Sequence, residues 1–322
     1  LELSALREGE EDSTTRLYPC SGGPVSFRLG GIPGLTRVRF NVVPGNGTVE
    51  VAGVRIDKPV IRGPTRRTNR ATPVPTQVPA RSKTRPNVIV YLVDALRADR
   101  LGIYGGDRGL SPRLDEMAAS SILFTDMVAQ SSWTKAAVAS IFTGQWPREH
   151  GVNGPDDRLP EELATLPELL RADGYRTGAV IANAYVGRPF GFARGFDHFE
   201  FIEHTRGSSD VLHARVTSWL RDLPDDDRPF FLYVHTIDPH APYAPPTPFL
   251  ERFAGSVRDP AVGQVETVRG LVLGTVEPSK ELGRDLRDLY DGEIAANDHS
   301  FGELLDELTA LGELEKTVVV FT

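Results

Sequence analysis

The fold is decided by the stretch Val88-Ile89-Val90-Tyr91-Leu92-Val93, which is followed directly by Asp94. An unbroken apolar run of this length is typical of a strand that is buried on both faces, as in a parallel sheet. In open α/β sheets, ligands bind beyond the carboxyl ends of the strands. The stretch therefore predicts a buried strand with an acid at the edge of the sheet where a site is expected.

Strand and helix patterns alternate after Pro86, which indicates a parallel sheet with crossover helices. We predict strands at 87–93, 121–126, 177–182, 229–235 and 316–322, and helices at 112–120, 135–142, 161–173, 209–222 and 283–312. The predicted fold class is therefore α/β, a largely parallel sheet flanked by helices on both faces.

The part of the chain before Pro86 has a different composition. Strand patterns at 25–29, 38–43 and 49–54 predict a small β-rich module over residues 1–61. Residues 62–86 alternate proline with arginine and lysine and contain no acid, which is typical of a semi-extended linker. This basic linker is either a solvated spacer, which we favour, or a contact for an anionic surface. The remaining domain covers residues 87–322.

Composition excludes several classes of function. A net charge of -8 over 322 residues argues against non-specific nucleic-acid binding, and no apolar run is long enough to span a membrane. Cys20 is the only cysteine, so no internal disulfide forms.

The chain begins at Leu1 and ends at Thr322 within a strand pattern. We therefore expect a fragment whose last domain is truncated at its carboxyl end.

Asp94 is the first candidate functional residue. A carboxylate at the end of a buried strand is costly unless it meets a cation or several hydrogen-bond donors. A hard or borderline divalent metal ion would satisfy it. The alternative is a turn carboxylate that accepts hydrogen bonds from backbone N–H groups.

Thr134 precedes the apolar helical run Lys135-Ala136-Ala137-Val138-Ala139-Ser140-Ile141-Phe142. Its hydroxyl either caps the helix or serves as a nucleophile. Lys135 follows at the first helical position, where a cation opposes the helix dipole. A lysine there is favourable if an anion binds at the helix start, whereas an exposed lysine without a role is the alternative.

His235 and His240 lie on a proline-rich segment directly after the strand pattern Phe230-Phe231-Leu232-Tyr233-Val234. Prolines at 239, 242, 245 and 246 exclude regular structure and predict a stiff loop at the ligand-binding edge of the sheet. Two imidazoles on such a loop suit anion binding or protonation of a leaving group. Ordinary polar surface is the alternative.

These segments together resemble the sulfatase family of the alkaline-phosphatase superfamily, from about Pro86 to Thr322. The resemblance rests on Pro86-Asn87-Val88-Ile89-Val90, Asp94-Ala95-Leu96-Arg97, Thr143-Gly144-Gln145-Trp146-Pro147-Arg148-Glu149-His150-Gly151-Val152, Leu169-Leu170-Arg171-Ala172-Asp173-Gly174-Tyr175-Arg176-Thr177, Gly195-Phe196-Asp197, Pro239-His240-Ala241-Pro242-Tyr243 and Tyr290-Asp291-Gly292-Glu293-Ile294. It implies an alkaline-phosphatase-like fold and ester hydrolysis.

The resemblance also implies roles for individual residues. Asp94 falls on the family's first metal-binding acid, Thr134 on the nucleophile and also a metal contact, and His240 on a histidine that contacts the anionic group. Lys135 would stabilise the oxygens of that group, and His235 is the second candidate for protonating the departing oxygen. The family's remaining metal ligands follow its final strand, beyond Thr322.

The chain departs from the family pattern at several positions. Classical sulfatases carry Cys or Ser at the nucleophile position, within Cys/Ser-x-Pro-x-Arg, for oxidation to formylglycine. Thr134 cannot undergo that oxidation, Ala136 and Val138 replace the proline and arginine, and Ala95 replaces the second of the usual paired acids. A threonine beside one acid instead resembles the phosphate- and phosphonate-cleaving branches of the superfamily.

We therefore expect a metal-dependent hydrolase of sulfate or phosphate esters, with phosphate chemistry slightly favoured. It would use one divalent ion (Ca, Mn or Zn), no formylglycine, and a small anionic ester as substrate. The resemblance weakly favours export to the periplasm or cell surface. The alternative, supported by Ala95, Ala136 and Val138, is a catalytically inactive sulfatase-like binding or surface protein.

Overall fold

The computed structural model describes the backbone of residues 2–7, 14–17 and 35–41, and residues 85–322 apart from Asp126 and residues 204–207. The chain divides into two compact units, Leu1–Gln77 and Val78–Thr322. We describe each unit by itself.

The first unit contains an antiparallel sheet with strand order β2-β1-β3. Its strands are β1 (Glu2–Arg7), β2 (Thr14–Leu17) and β3 (Leu35–Asn41). The strand pattern at 38–43 overlaps β3, whereas the patterns at 25–29 and 49–54 lie outside the described residues, as does nearly all of the linker. Strands β1 and β2 were not predicted. The boundaries of the module and linker stay predictions.

The second unit is built on a five-stranded sheet, and every strand pair in it is parallel. The strand order is β6-β5-β7-β4-β8. The strands are β4 (Asn87–Val93), β5 (Arg176–Ile181), β6 (His198–Phe201), β7 (Phe230–Thr236) and β8 (Thr317–Phe321). This arrangement confirms the predicted parallel α/β class.

Helices cover both faces of this sheet. They are α1 (Pro112–Ala118), α2 (Thr134–Thr143), α3 (Pro147–His150), α4 (Leu166–Ala172), α5 (Ser208–Arg221), α6 (Phe249–Ala254), α7 (Val265–Leu273) and α8 (Lys280–Ala310). In the part of the chain that the structure describes, none of these helices is long and apolar enough to cross a membrane.

Strand β4 explains why both faces need a cover. Ile89, Tyr91 and Val93 belong to one apolar core, which includes side chains of α1, α5 and α8. Val90 belongs to the opposite core, which includes side chains of α2 and α4. Because successive side chains of a strand point to opposite faces, the continuous apolar run supplies both cores.

The register of the central strands brings their carboxyl ends together. Val93 of β4 pairs with Thr236 of β7, and Ile181 of β5 pairs with His235. The residues that follow these strand ends therefore meet at one edge of the sheet, where the site was expected.

The predicted strand at 121–126 is wrong. Residues 121–125 form no strand, and Ile122 and Phe124 are 84% and 65% exposed. A strand is stable only when a neighbouring strand satisfies its backbone, and no strand among the described residues pairs with this segment. An apolar pattern alone cannot show whether that neighbour exists.

Two helix predictions need correction. The helix predicted at 161–173 begins only at Leu166, because Thr165 and Glu168 form a capping box there. The helix predicted at 283–312 begins three residues earlier, at Lys280 after its cap Ser279. The segment Tyr290-Asp291-Gly292-Glu293-Ile294 lies inside this helix, α8, and its two acids are buried.

Candidate active site

Asp94 lies at the centre of the sheet edge. Its backbone N–H donates to the carbonyl oxygen of Thr236 at 3.1 Å, which continues the pairing of β4 with β7 by one residue. Asp94 is only 8% exposed. A carboxylate this deeply placed requires donors or a cation around it.

Thr134 supplies one of those donors. Its hydroxyl oxygen lies 3.3 Å from each of the two carboxylate oxygens of Asp94. Helix α2 begins at Thr134, its N-cap residue is Trp133, and no side chain caps it. Thr134 is therefore not the cap that the alternative required, and its hydroxyl points to Asp94.

Asn183 supplies a second and shorter hydrogen bond. Its side-chain amide donates to Oδ2 of Asp94 at 2.6 Å, and its own oxygen accepts the backbone N–H of Tyr185 at 2.9 Å. The sequence analysis missed this residue. The signal was present, because Asn183 follows the buried strand β5 by two residues at the carboxyl edge of the sheet.

His235 lies beside the same carboxylate, at the carboxyl end of β7. Its ring is fully buried, and Nδ1 is hydrogen-bonded to the hydroxyl of Tyr233 at 2.9 Å. The other ring nitrogen, Nε2, lies 3.5 Å from Oδ2 of Asp94 and has no hydrogen-bond partner in the described part of the chain. At 3.5 Å the contact is too long for a well-formed hydrogen bond.

The surroundings keep Asp94 ionised. Burial raises the pKa of Asp94, but interaction with the His235 imidazole and its positive charge, the Asn183 hydrogen bond and the positive charge of His240 together lower it below 3.8. The group is therefore a carboxylate at neutral pH, and it accepts hydrogen bonds without giving up a proton.

His240 lies on the loop after β7 and is exposed. Its Nδ1 is 2.8 Å from the carbonyl oxygen of Ala241. It is close enough for its positive charge to help lower the pKa of Asp94. The structure thus places Asp94, Thr134 and His235 together, with His240 at the accessible side.

Lys135 is buried, whereas one expectation for it was an exposed side chain. Its ammonium group donates to the backbone carbonyl oxygens of Pro155 and Asp157, the latter at 3.1 Å, and lies 3.2 Å from the ring centre of Phe190. Burial lowers the pKa of Lys135, while the charges of Asp156 and Asp157 raise it, and the net change is downward. The ammonium group therefore ties the start of α2 to the loop at 155–157.

Ala95 adopts an unusual backbone conformation directly after Asp94. Its φ angle is 57°, in the left-handed region. The hydroxyl of Tyr290 donates to the carbonyl oxygen of Ala95 at 2.8 Å and accepts the backbone N–H of Arg97 at 2.9 Å. Tyr290 therefore holds the turn that orients Asp94.

With this geometry established, comparison with known proteins identifies the family. A family model described as Sulfatase matches residues 86–322, which is most of the chain. The chain belongs to the sulfatase family.

The relatives of this sulfatase-family chain agree with that assignment. It is 26% identical to an ulvan-active sulfatase of Formosa agariphila and 29% identical to the human N-sulphoglucosamine sulphohydrolase. Each match covers 74% of this chain and 50% of the relative. The chain thus spans about half the length of these curated relatives.

Solved structures support the fold. The phosphonate monoester hydrolase of Agrobacterium radiobacter superposes with a TM-score of 0.60 and 19% identity, covering 74% of this chain and 62% of the hydrolase. A structure titled as BT4656 in complex with D-glucosamine-2-N,6-O-disulfate gives a TM-score of 0.58 over 74% and 65% of the two chains. Both structures are 19% identical to this chain, and at that identity the likeness establishes an alkaline-phosphatase-like α/β fold.

Sulfatase-family enzymes normally use a divalent metal ion. The Asp94 carboxylate and the Thr134 hydroxyl face each other, and the buried Nε2 of His235 beside them has no hydrogen-bond partner in the described residues. These atoms are suitable donors for such an ion and fit part of its site. The described residues contain no group of three His, Cys, Asp or Glu side chains that could hold a metal by themselves.

Proposed function

We propose that this protein is a metal-dependent hydrolase of sulfate or phosphate esters, with phosphate or phosphonate chemistry slightly favoured. One observation carries the proposal: the Thr134 hydroxyl lies 3.3 Å from both oxygens of the buried Asp94 carboxylate. A nucleophile and a ligand for a cation are thereby placed in contact by separate elements of the fold. The family and its ester-hydrolysing members support the reaction class.

Thr134 acts as the nucleophile in this proposal. Its Oγ, after losing the hydroxyl proton to solvent, attacks phosphorus or sulfur in line with the ester oxygen, the bond to that oxygen breaks, and the alcohol leaves. Water later hydrolyses the covalent ester on Thr134. Asp94 orients the hydroxyl and would hold one divalent ion, Ca, Mn or Zn. That ion, when bound, lowers the pKa of the coordinated hydroxyl and neutralises charge on the anion.

The remaining residues act on the anion and the leaving group. The amino end of α2 offers free N–H groups to the oxygens of the anion. Lys135 contributes its charge to this end of the helix from its buried position, without a direct hydrogen bond. His240, which is exposed, contacts the anion and is the first candidate for protonating the departing oxygen. His235 is the second candidate, and it can serve only where its Nε2 does not bind the ion.

Threonine favours phosphate esters because the oxidation that converts Cys or Ser to formylglycine is closed to it. The substrate would be a small anionic ester, and the net charge of -8 disfavours nucleic acid. An exported location agrees with this proposal but rests on the resemblance to the family alone.

The second candidate is a catalytically inactive, sulfatase-like binding protein. It is favoured by Ala95, Ala136 and Val138, which replace an acid, a proline and an arginine of the family pattern. Such a protein would bind the anion without turning it over.

The test uses the full-length protein with added Ca²⁺, Mn²⁺ or Zn²⁺ and two substrates, an aryl phosphate diester and an aryl sulfate. We expect turnover of at least one substrate, loss of activity in Thr134→Ala and partial activity in Thr134→Ser. Thr143→Ala is the matched control, because Thr143 ends the same helix and its hydroxyl donates to the carbonyl of Ala139 and accepts the backbone N–H of Gln145.

The outcomes separate the two candidates. No turnover with any of the three ions rejects the hydrolase, and retained binding of the anion then supports the inactive protein. An active Thr134→Ala variant would show that another group is the nucleophile.

A further inference from the structure

Two aromatic side chains stand next to the residues that contact Asp94. Trp133 directly precedes Thr134, and Tyr185 follows Asn183 by two residues. Their ring centres lie 5.8 Å apart in an edge-to-face arrangement, with an angle of 68° between the ring planes. The two rings therefore form a paired aromatic surface, which we call the Trp133–Tyr185 pair, beside the Asp94–Thr134 centre.

Local hydrogen bonds fix the backbone under both rings. The carbonyl oxygen of Trp133 accepts the N–H of Ala137 at 3.1 Å in the first turn of α2. The N–H of Tyr185 donates to the side chain of Asn183 at 2.9 Å. Thr134 and Asn183 are in turn hydrogen-bonded to Asp94. The backbone that carries the two rings is thus held in a fixed relation to the Thr134 hydroxyl.

The rings remain accessible to a ligand. Trp133 is half-buried, and Tyr185 is 46% exposed. Rigid aromatic side chains of this kind lose little conformational entropy on binding, and they are frequent in the walls of ligand sites. An anion held at Thr134 would place its organic group against this wall.

The chemistry of the pair limits what it binds. The Lys135 ammonium lies 5.8 Å from the ring centre of Trp133 and 5.7 Å from that of Tyr185. A cation already interacts with both rings, so a second cation such as an alkylammonium group is repelled. A neutral group with a flat apolar face is favoured instead.

We propose that the Trp133–Tyr185 pair binds the organic part of the ester, and that this part is a neutral ring with a flat apolar face. An aryl ring and a pyranose ring share this chemistry. The assignment rests on the proposed function for its position at the reacting centre. Trp133 and Tyr185 are then specificity-determining residues, because they discriminate between ring-bearing and small alkyl esters.

The experiment measures binding of non-hydrolysable anions to the full-length protein, so that it does not depend on turnover. The probes are methylphosphonate, phenylphosphonate and a pyranose 6-phosphonate, which carry the same anionic group. The variants are Trp133→Ala, Trp133→Leu and Tyr185→Ala. Trp146→Ala is the matched control, since Trp146 is 57% exposed and follows the opposite end of the ten-residue helix α2. Circular dichroism confirms that each variant is folded.

We expect at least one ring probe to bind about tenfold more tightly than methylphosphonate, the usual size of an aromatic contact. This ratio should fall towards one in the Trp133 and Tyr185 variants and stay unchanged in Trp146→Ala. The ring probe that binds more tightly than methylphosphonate identifies whether the site prefers an aryl ring or a pyranose ring.

Two results would overturn the proposal: equal binding of all three probes to the wild type, or a ratio unchanged in folded Trp133 and Tyr185 variants. If the ratio behaves as expected but no ester is turned over, the ring site stands and the hydrolase proposal fails.

Discussion

Replacing Asp298 with asparagine should remove one pH dependence from the stability of this protein. Asp298 lies in α8, is 6% exposed, and accepts the backbone N–H groups of Arg113 at 3.0 Å and Leu114 at 2.9 Å. These two groups are in the first turn of α1, where backbone donors have no partner within the helix. Asp298 therefore joins α1 to α8 through a buried carboxyl group.

The size of the effect follows from the pKa. Burial raises the pKa of Asp298 from 3.8 to about 6, although the hydrogen bonds from Arg113 and Leu114 oppose the change. A rise of this size corresponds to about 3 kcal/mol between the two protonation states. Because the folded protein binds the proton more tightly than the unfolded chain does, the stabilisation is complete below pH 3.8. It is lost as the pH rises to about 6 and stays lost above that.

The assay is urea unfolding of wild type and Asp298→Asn between pH 4.5 and 8. The free energy of unfolding of the wild type should decrease relative to that of the variant by about 2 kcal/mol across this range, because about a third of the full effect is already lost at pH 4.5. Asp226→Asn is the control, because the hydrogen bond from Arg176 lowers the pKa of Asp226 to about 2 and its titration is complete below pH 4.5. A difference between wild type and Asp298→Asn that is constant with pH would refute the reasoning.

Two further predictions concern the site. Asn183→Ala removes the 2.6 Å donor to Asp94, so the pKa of Asp94 should rise and the acid limb of the pH–rate profile should move to higher pH. Activity should fall about tenfold or more. An unchanged profile would contradict this prediction. Tyr290→Phe removes the hydrogen bonds to the Ala95 carbonyl and from the Arg97 N–H, and Tyr175→Phe removes the one to the Pro86 carbonyl at the other end of β4. At about 1 kcal/mol for each bond, the first variant should lose about 2 kcal/mol of stability and the second about 1 kcal/mol. Only Tyr290→Phe should speed hydrogen exchange at the Arg97 N–H, and equal exchange in both variants would show that Tyr290 does not hold the turn.

The sequence alone predicted that Asp94 and Thr134 lie together, and the reason is a general physical one. An apolar run without alternation indicates a strand buried on both faces, and parallel strands bring their carboxyl ends to one edge. His235 was found by the same argument, because it ends the apolar run of β7. The α/β class follows from the regular alternation of the two patterns.

The remaining features depend on contacts that no local pattern encodes. Asn183 follows a buried strand, as Asp94 does, but many polar residues occupy such positions, and its 2.6 Å contact with Asp94 is what identifies it as part of the site. The direction of the Lys135 side chain depends on the carbonyl groups of the loop at 155–157, which are about twenty residues away in the chain. The segment at 121–126 has a strand's composition but lacks a neighbouring strand among the described residues.

The left-handed turn at Ala95 bears on the paired acids that the resemblance to the family implies at positions 94 and 95. Alanine is poorly suited to a φ of 57°, whereas aspartate and asparagine tolerate that region several times more readily. The backbone at this position thus has a shape that suits an acidic side chain better than alanine. An Ala95→Asp variant would therefore place a second carboxylate beside Asp94 without a change of backbone conformation.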